Sequence, residues 1–440
     1  MKRFITTFKN IFSIEELRTR IFTTIAFLVM FRLGSFVVLP GVDPSKISDA
    51  SSEGILGVIN TFSGGAFNNV SVFGLGIMPY ISASIVLQLL TFAVPYFQRL
   101  QKDGESGRKK INQYTRILTI FITVAQSIGY LKATLSDEMF YDGMNNPMMY
   151  IVRIVTLISG TMFCMWIGER ITEKGIGNGI SMLIMIGIVS RLPFALMAEL
   201  GSKRLEGGLA LLFEFGALFG VIMLVVLVQQ ATRRIPIQYT KQIAGGKQVI
   251  GQRQYLPLKL IAAGVMPIIF AQSVMFLPAI IGSSFAETND FANSVAATFN
   301  NPTSWQYNLA FATMIILFTY FYTAITVNPN TIAEDLRRNG GFIPSVKPGV
   351  ATSEYIDDVL TKITLPGSLF LAVLAILPAF ASLAGIEREF AYFYGGTSLL
   401  IMIGVVLDTL QQIESFLLMK HYDGMMQTGR VKGRLDTAAV

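Results

Sequence analysis

The chain has 440 residues, of which 52% are hydrophobic and only 14% charged, with a formal net charge of +7 and a mean hydropathy of +0.54. Soluble domains carry about a quarter charged residues, so a water-wetted globule is excluded and a membrane protein is implied. One cysteine (Cys164) and one histidine (His421) exclude an intrachain disulfide, a cysteine-rich metal site and a histidine-based triad or zinc cluster.

Residues 1–20, MKRFITTFKNIFSIEELRTR, are basic and amphipathic, with no short apolar core and no small-residue cleavage site. They do not read as a cleaved signal peptide, so the first apolar helix is expected to stay in the mature protein. A helix needs about 20 apolar residues to cross the hydrocarbon. Ten such runs lie near 20–40, 76–97, 115–134, 149–169, 179–199, 208–230, 259–282, 309–327, 365–385 and 393–418.

With both termini placed in the cytoplasm, 27 of the 35 Lys and Arg residues fall on cytoplasmic segments. Only Lys46, Lys132, Lys203, Arg204 and Arg388 fall outside, and Arg32, Arg153 and Arg191 lie within or at the ends of spans. That is the positive-inside bias, sustained through ten alternations. An error of one helix would invert the rest of it, so ten spans with both termini cytoplasmic is the expected topology.

After the first run the chain exits at Leu39-Pro40-Gly41. Residues 61–75, TFSGGAFNNVSVFGL, follow an external segment. As a helix these 15 residues would reach about 22 Å, too short to span. Ser63, Asn68, Asn69, Ser71 and three glycines do not suit lipid, and such backbone is tolerated at membrane depth only inside protein or beside water. A re-entrant half-helix is expected, broken at Gly74, Gly76 and Pro79. The second run then places Ile77, Ile81 and Ile85 on one face, and NGISMLIMIG repeats the spacing at Ile180 and Ile184. On spacing alone such isoleucines usually face lipid or a neighbouring helix; the sharper reading is a narrow, dry pore collar.

Residues 231–259 read as a basic hairpin with Gly245-Gly246 at its turn, and RIPIQYT alternates like a short strand. Residues 328–364 begin at Asn328-Pro329. Thr331 and Glu334 have capping-box spacing, a short helix should end at Asn339-Gly340-Gly341, and a second helix carries Ile356, Val359, Leu360 and Ile363 on one face. Neither loop is long enough to bury its own core.

FRLGSF (31–36), FSGGAF (62–67), LGIMPYISASI (75–85), DGESGRKKINQYTR (103–116), GTMFCMWIGERITEKGIGNGIS (160–181), FYTAITVNPNTIAEDLRRNGGFIP (321–344) and FYGGTSLLI (393–401) occur in order over nearly the whole chain. On these motifs the chain resembles the SecY family, the central subunit of the bacterial protein-conducting channel. The resemblance implies an all-α polytopic membrane protein of ten transmembrane helices in two pseudo-symmetric inverted halves, residues 1–200 and 201–440. A hinge would lie near 199–207, and a short plug helix near 61–73 would include Phe62, Ser63, Gly64, Gly65, Ala66, Phe67, Asn68 and Asn69. The family's pore ring falls on Ile77, Ile81, Ile180, Ile184, Ile269 and Ile401.

An unfolded secretory polypeptide would displace the plug and thread the ring, while an apolar segment would leave through a lateral gate between spans 2/3 and 7/8. Gln88, Gln126, Gln272 and Ser273 are candidates to tune that gate, since polar groups in an apolar seam are costly unless paired; simple interhelix hydrogen bonding explains them equally well. The basic loops would dock the ribosome and the motor ATPase SecA through Arg233, Arg234, Lys247, Arg337, Arg338 and Lys347. Basic residues between Lys2 and Arg20 read instead as topology determinants. Bacterial relatives usually carry arginine before Pro-Gly at the second loop's tip; lysine at 347 keeps the charge and loses the planar fork. SecE and SecG are the implied subunits, signal sequences, unfolded preproteins and membrane lipid the other partners, and the bacterial cytoplasmic (inner) membrane the location.

No G-x-x-x-x-G-K-[ST] motif occurs, so no ATP hydrolysis, no other enzymatic activity and no cofactor is expected. A secondary transporter of small solutes is the alternative. It predicts ionisable residues near the midplane, whereas Arg32, Glu214, Asp408 and Glu414 are scattered. An intramembrane protease would need paired aspartates, a Ser–His dyad or HExxH, none of which is evident.

Overall fold

The computed structural model describes residues 14–46, 60, 63–135, 139–141, 144, 146–203, 208–239, 242–244, 247–249, 253–285, 294, 297–299 and 301–427. All ten expected runs are helices: α1 (Glu15–Gly34), α2 (Met78–Ala93) with α3 (Pro95–Lys102), α4 (Gly104–Thr134), α5 (Pro147–Lys174), α6 (Gly179–Ser202) and α7 (Gly208–Gln230). After strands β1 (Thr232–Tyr239), β2 (Gln242–Ala244), β3 (Lys247–Val249) and β4 (Arg253–Lys259) come α8 (Met266–Phe285), α9 (Trp305–Thr326) and α10 (Pro329–Arg338). Strand β5 (Gly341–Phe342), α11 (Val350–Leu383), the short α12 (Arg388–Ala391) and α13 (Gly396–Gln427) complete the chain. Among the described residues six helices are long and apolar enough to cross a membrane, and α2 with α3, bent by 101°, would make a seventh span. The protein is an all-α polytopic membrane protein with two small extramembrane sheets, one of three strands and one, β2-β3, of two.

Several boundaries move for identifiable reasons. The first helix stops at Gly34, because residues 37–39 turn their backbone to another segment: Leu39 N–H donates to Val70 and Val72 N–H to Val37, at 2.9 and 2.8 Å. The second run breaks at Val94, where Pro95 starts α3. The second loop helix, carrying Ile356 to Ile363, and the ninth span expected at 365–385 are one helix of 34 residues, continuous through Pro366 and Pro378.

Several hydroxyls inside the helices bond to the carbonyls of their own helix, which satisfies them where water is absent. Along α4, Thr115, Thr119 and Thr123 each donate to the carbonyl one turn earlier, at 2.9, 2.7 and 2.6 Å.

The chain forms two compact units, with boundaries at Arg191/Leu192 within α6 and at Gly404/Val405 within α13. In the first, α5 buries a spine of Leu157, Gly160, Cys164, Gly168 and Ile171. In the second, β1 pairs antiparallel with β4 (Ile235 opposite Leu256) and with β5 (Gln238 opposite Phe342), giving the order β4-β1-β5. The two extramembrane loops do bury a core when taken together, contrary to the expectation for each alone. Ile235, Ile237 and Leu258 of the sheet pack with Leu336, Ile343, Ile356 and Leu360, so the second loop supplies what the first lacks.

Candidate pore collar, plug and docking surface

The segment after α1 is not the half-helix expected. Its described residues, Ser63 to Ile77, form successive turns on either side of a single bridge at Ser71. Gly64, Gly65, Val70 and Gly76 have φ of 66°, 91°, 47° and 54°, which interrupt any right-handed helix. The expected Phe62 lies outside the described residues.

Two of the polar side chains that looked misplaced, Ser63 and Ser71, bond within the segment, and so do the backbone N–H groups of Asn68 and Asn69. Ser63 Oγ donates to the Asn60 carbonyl at 3.1 Å and accepts from Phe67 N–H at 3.1 Å. Asn60 Oδ1 accepts from Asn68 N–H, also at 3.1 Å, and Ser71 Oγ donates to the Ala66 carbonyl at 3.0 Å. Asn69 N–H donates to Gly65. Ala66, Phe67 and Val70 are buried, Tyr130 of α4 donates its hydroxyl to the Phe67 carbonyl at 2.7 Å, and Arg32 of α1 donates to the Gly64 carbonyl at 2.8 Å. Gly64 is required on two counts: its φ is positive, and a Cβ there would sit 2.9 Å from Gly187 Cα on α6.

Directly after this segment, Ile77 caps α2 and is buried. It shares one apolar cluster with Phe31, Phe73, Ile167, Ile171 and Leu183, against which Ile81 and Ile180 also pack. The structure therefore brings together Ile77, Ile81 and Ile180 from α2 and α6, and Ile184 is buried one turn further on. In the second unit Ile269 is half-buried on α8 and Ile401 is buried on α13.

Ile180 and Ile184 are positioned by GIGNGIS, several of whose backbone donors reach side chains. Ile176 N–H reaches Thr24 Oγ1 of α1 at 3.0 Å, Gly177 N–H reaches Gln412 Oε1 of α13 at 2.8 Å, and Gly179 N–H reaches Thr172 Oγ1 of α5 at 2.9 Å. Asn178 Oδ1 caps α6 through Ile180 N–H at 3.1 Å. The residue pattern alone gives no sign of Thr24, Thr172 or Gln412 as supports.

Of the gate candidates, Gln88 and Gln126 are half-buried on α2 and α4. Gln272 Oε1 accepts from Thr397 Oγ1 at 2.9 Å, linking α8 to α13, which favours the interhelix reading at that position. The side chains of Ser273 and Lys247 lie outside the described residues.

On the loop pair, Arg233 and Arg234 of β1, Arg337 and Arg338 of α10, and Lys347 are all exposed. Arg338 makes an exposed pair with Glu334 at 3.5 Å, a contact of little energetic weight. The cap of α10 is Asn328, whose Oδ1 accepts from Asn330 and Thr331 N–H, rather than Thr331. Asn328 precedes Pro329, whose fixed φ starts the helix there.

The ionisable residues of the transporter alternative do not converge. Arg32 serves the Gly64 turn, Asp408 and Glu414 are on α13, and Glu214 pairs with Lys203, which also reaches Glu199 at 2.7 Å. Among the described residues no cluster of metal-ligating side chains occurs.

The family model for SecY matches residues 71–410. The chain is 39% identical to the protein translocase subunit SecY of Corynebacterium glutamicum, over 97% of this chain and 100% of that one. It is 41% identical to the subunit of the same name from Halalkalibacterium halodurans, over 96% and 99%. A solved protein-conducting channel superposes with a TM-score of 0.63 at 16% identity, covering 90% of this chain and 92% of that one. Sec61 from a canine ribosome–channel complex of the endoplasmic reticulum superposes with a TM-score of 0.60 at 15% identity, with the same coverage. At those identities the likeness is one of fold.

Proposed function

The chain belongs to the SecY family, and from that premise we propose that it is the pore-forming subunit of a protein-conducting channel. Unfolded secretory polypeptides cross through it, and sufficiently apolar segments pass into lipid through a lateral gate between spans 2/3 and 7/8. Ile77, Ile81, Ile180, Ile184, Ile269 and Ile401 form the collar, because branched apolar side chains seal without directional bonds around chains of varied shape. Residues 61–73 form the plug, and halves 1–200 and 201–440 move about a hinge at 199–207. The chain acts without a catalytic site, in the bacterial inner membrane with both termini in the cytoplasm.

The observation that carries this reading is the Ser63–Val70 segment. Polar, turn-rich backbone lies buried beside α1, α4 and α6 and runs straight into the cluster that holds Ile77, Ile81 and Ile180.

The test is a crosslink. Cys164 is replaced by serine, a single cysteine is placed at Ile81, and a secretory chain carrying its own cysteine is stalled in transit. Oxidation is expected to give an adduct at position 81 and none at a lipid-facing control such as Phe121, which is exposed on α4. With the chain demonstrably engaged, no adduct at 81 would remove the collar assignment and reopen the transporter alternative.

The loop pair is the docking surface for the ribosome and for SecA, with SecE and SecG as the companion subunits in the membrane. Exposed arginines on a small, cored platform suit phosphate-rich RNA, where binding gains from counterion release. Arg233→Glu with Arg234→Glu is expected to weaken ribosome binding and to flatten its log–log salt dependence by about one unit of slope per arginine lost. Equal slopes for mutant and parent would remove these two residues from the contact.

A further inference from the structure

Three arginines, Arg32, Arg153 and Arg191, stand apart from the charge asymmetry that orients the chain. A cation in a span needs a partner. Arg153 has two backbone carbonyls, Pro40 at 3.1 Å and Met144 at 2.9 Å, and its guanidinium lies 4.1 Å from the centre of the Phe140 ring. Arg32 has one: Nη1 donates to the Gly64 carbonyl at 2.8 Å, with the guanidinium 5.2 Å from the Phe36 ring centre. Arg191 flanks the next residue, since a Cβ on Gly65 would lie 3.5 Å from its Nε. A Cβ on Gly64 would lie 2.7 Å from Arg32 Nη1, so the two guanidinium groups flank neighbouring residues of the segment and like charge stands near like charge. Among the described residues no carboxylate pairs with either guanidinium.

We propose that Arg32 and Arg191 form a two-sided latch on the plug. This rests on the plug reading of residues 61–73. Arg32 holds the closed plug through the Gly64 carbonyl, and loses that partner when the segment leaves. Arg191 weakens the hold by like-charge repulsion, which keeps the closed state from becoming permanent. The two arginines therefore act with opposite sign. A charge-assisted hydrogen bond corresponds to about tenfold in a two-state population, which sets the expected effect.

The complete complex is reconstituted in lipid vesicles loaded with a fluorescent anion indicator, and anion entry is measured with no translocating chain present. Arg32→Gln is expected to raise the resting flux about tenfold. Arg191→Gln should leave it at or below the parent value, and the double variant should fall between. Equal leakage from both single variants would mean shared structural damage and would overturn the latch; so would a parent-like flux from Arg32→Gln. A variant lacking residues 64–69 separates the two levels. If it leaks and Arg32→Gln does not, the latch alone is wrong; if it does not leak, the plug reading fails as well.

Discussion

Gly179→Ala is expected to lower the stability of the protein by about 3 kcal/mol or more, the upper range for overpacking a dense interior. A Cβ at 179 would lie 1.9 Å from the Gly168 carbonyl oxygen, 2.8 Å from its carbonyl carbon and 2.8 Å from Ile171 Cβ. Two of those atoms are backbone of α5, so no side-chain rotation can make room. Moving α6 away from α5 would also disturb the bonds that fix the loop: Ile176 to Thr24, Gly177 to Gln412 and Gly179 to Thr172. Each buried N–H left without its acceptor costs about 1–3 kcal/mol. The unfolding midpoint of the purified protein in a denaturing-detergent titration measures this. Gly129→Ala on α4 is the control, because nothing lies within 4 Å of its added Cβ. That change should be neutral or slightly stabilising, since alanine is favoured over glycine in a helix by about 1 kcal/mol. Equal midpoints for the two variants would mean that α5 and α6 do not pack this closely.

The span pattern was legible because two independent signals agree. Ten apolar runs and an alternating count of basic residues constrain each other, and the helices fall on all ten runs. What length and charge do not carry is where backbone groups go. The first run reads as apolar to Pro40, yet Val37 and Leu39 bond to the segment around Val70 and Val72, a non-local pairing that no hydropathy window contains. The same holds for the loop pair. Ile235 and Ile237 alternate like one face of a strand, but their partners Leu336, Ile356 and Leu360 come about a hundred residues later. Read one loop at a time, no core is visible.

The candidate site was legible to a similar depth. Glycines and small polar residues marked 63–76 as protein-facing backbone, and that inference needed only the cost of unpaired polar groups in lipid. The same residues misled on conformation, because a positive φ at Val70 is set by its buried surroundings and not by valine's own preference. The supports of the proposed collar were not legible at all. Thr24, Thr172 and Gln412 matter for the donors they accept from, and nothing in their local sequence singles them out.

Lys203→Met is expected to cost about 3–5 kcal/mol, the range for removing one partner from a buried ionic group. Lys203 follows α6 and meets two carboxylates, Glu199 at 2.7 Å and Glu214; side-chain exposures are 21% for the lysine, 0% for Glu199 and 13% for Glu214. Glu199 Oε2 also accepts the Glu387 N–H at 2.8 Å, so the cluster ties the end of α6 to α7 and to the turn before α12. Without the ammonium, two carboxylates remain side by side, one of them, Glu199, fully buried.

The pH dependence gives the prediction a second arm. Burial by itself would lower the lysine's proton affinity, but the hydrogen bonds with Glu199 and Glu214 outweigh it and hold Lys203 above the ordinary lysine value. A raised folded-state value stabilises fully below the unfolded value of about 10.4 and is lost as pH rises through the folded value. The parent protein should therefore hold the lysine's contribution from pH 7 to 9 and lose it only in strongly alkaline solution. Lys203→Met should lack that component and be weaker throughout. Adding Glu199→Gln and Glu214→Gln to Lys203→Met should recover much of the loss, because amides need no counter-charge and the amide oxygen at position 199 can still accept from the Glu387 N–H. Midpoints that are equal for parent and Lys203→Met at pH 7, or a triple variant no better than the single one, would mean that charge pairing is not what joins these helices.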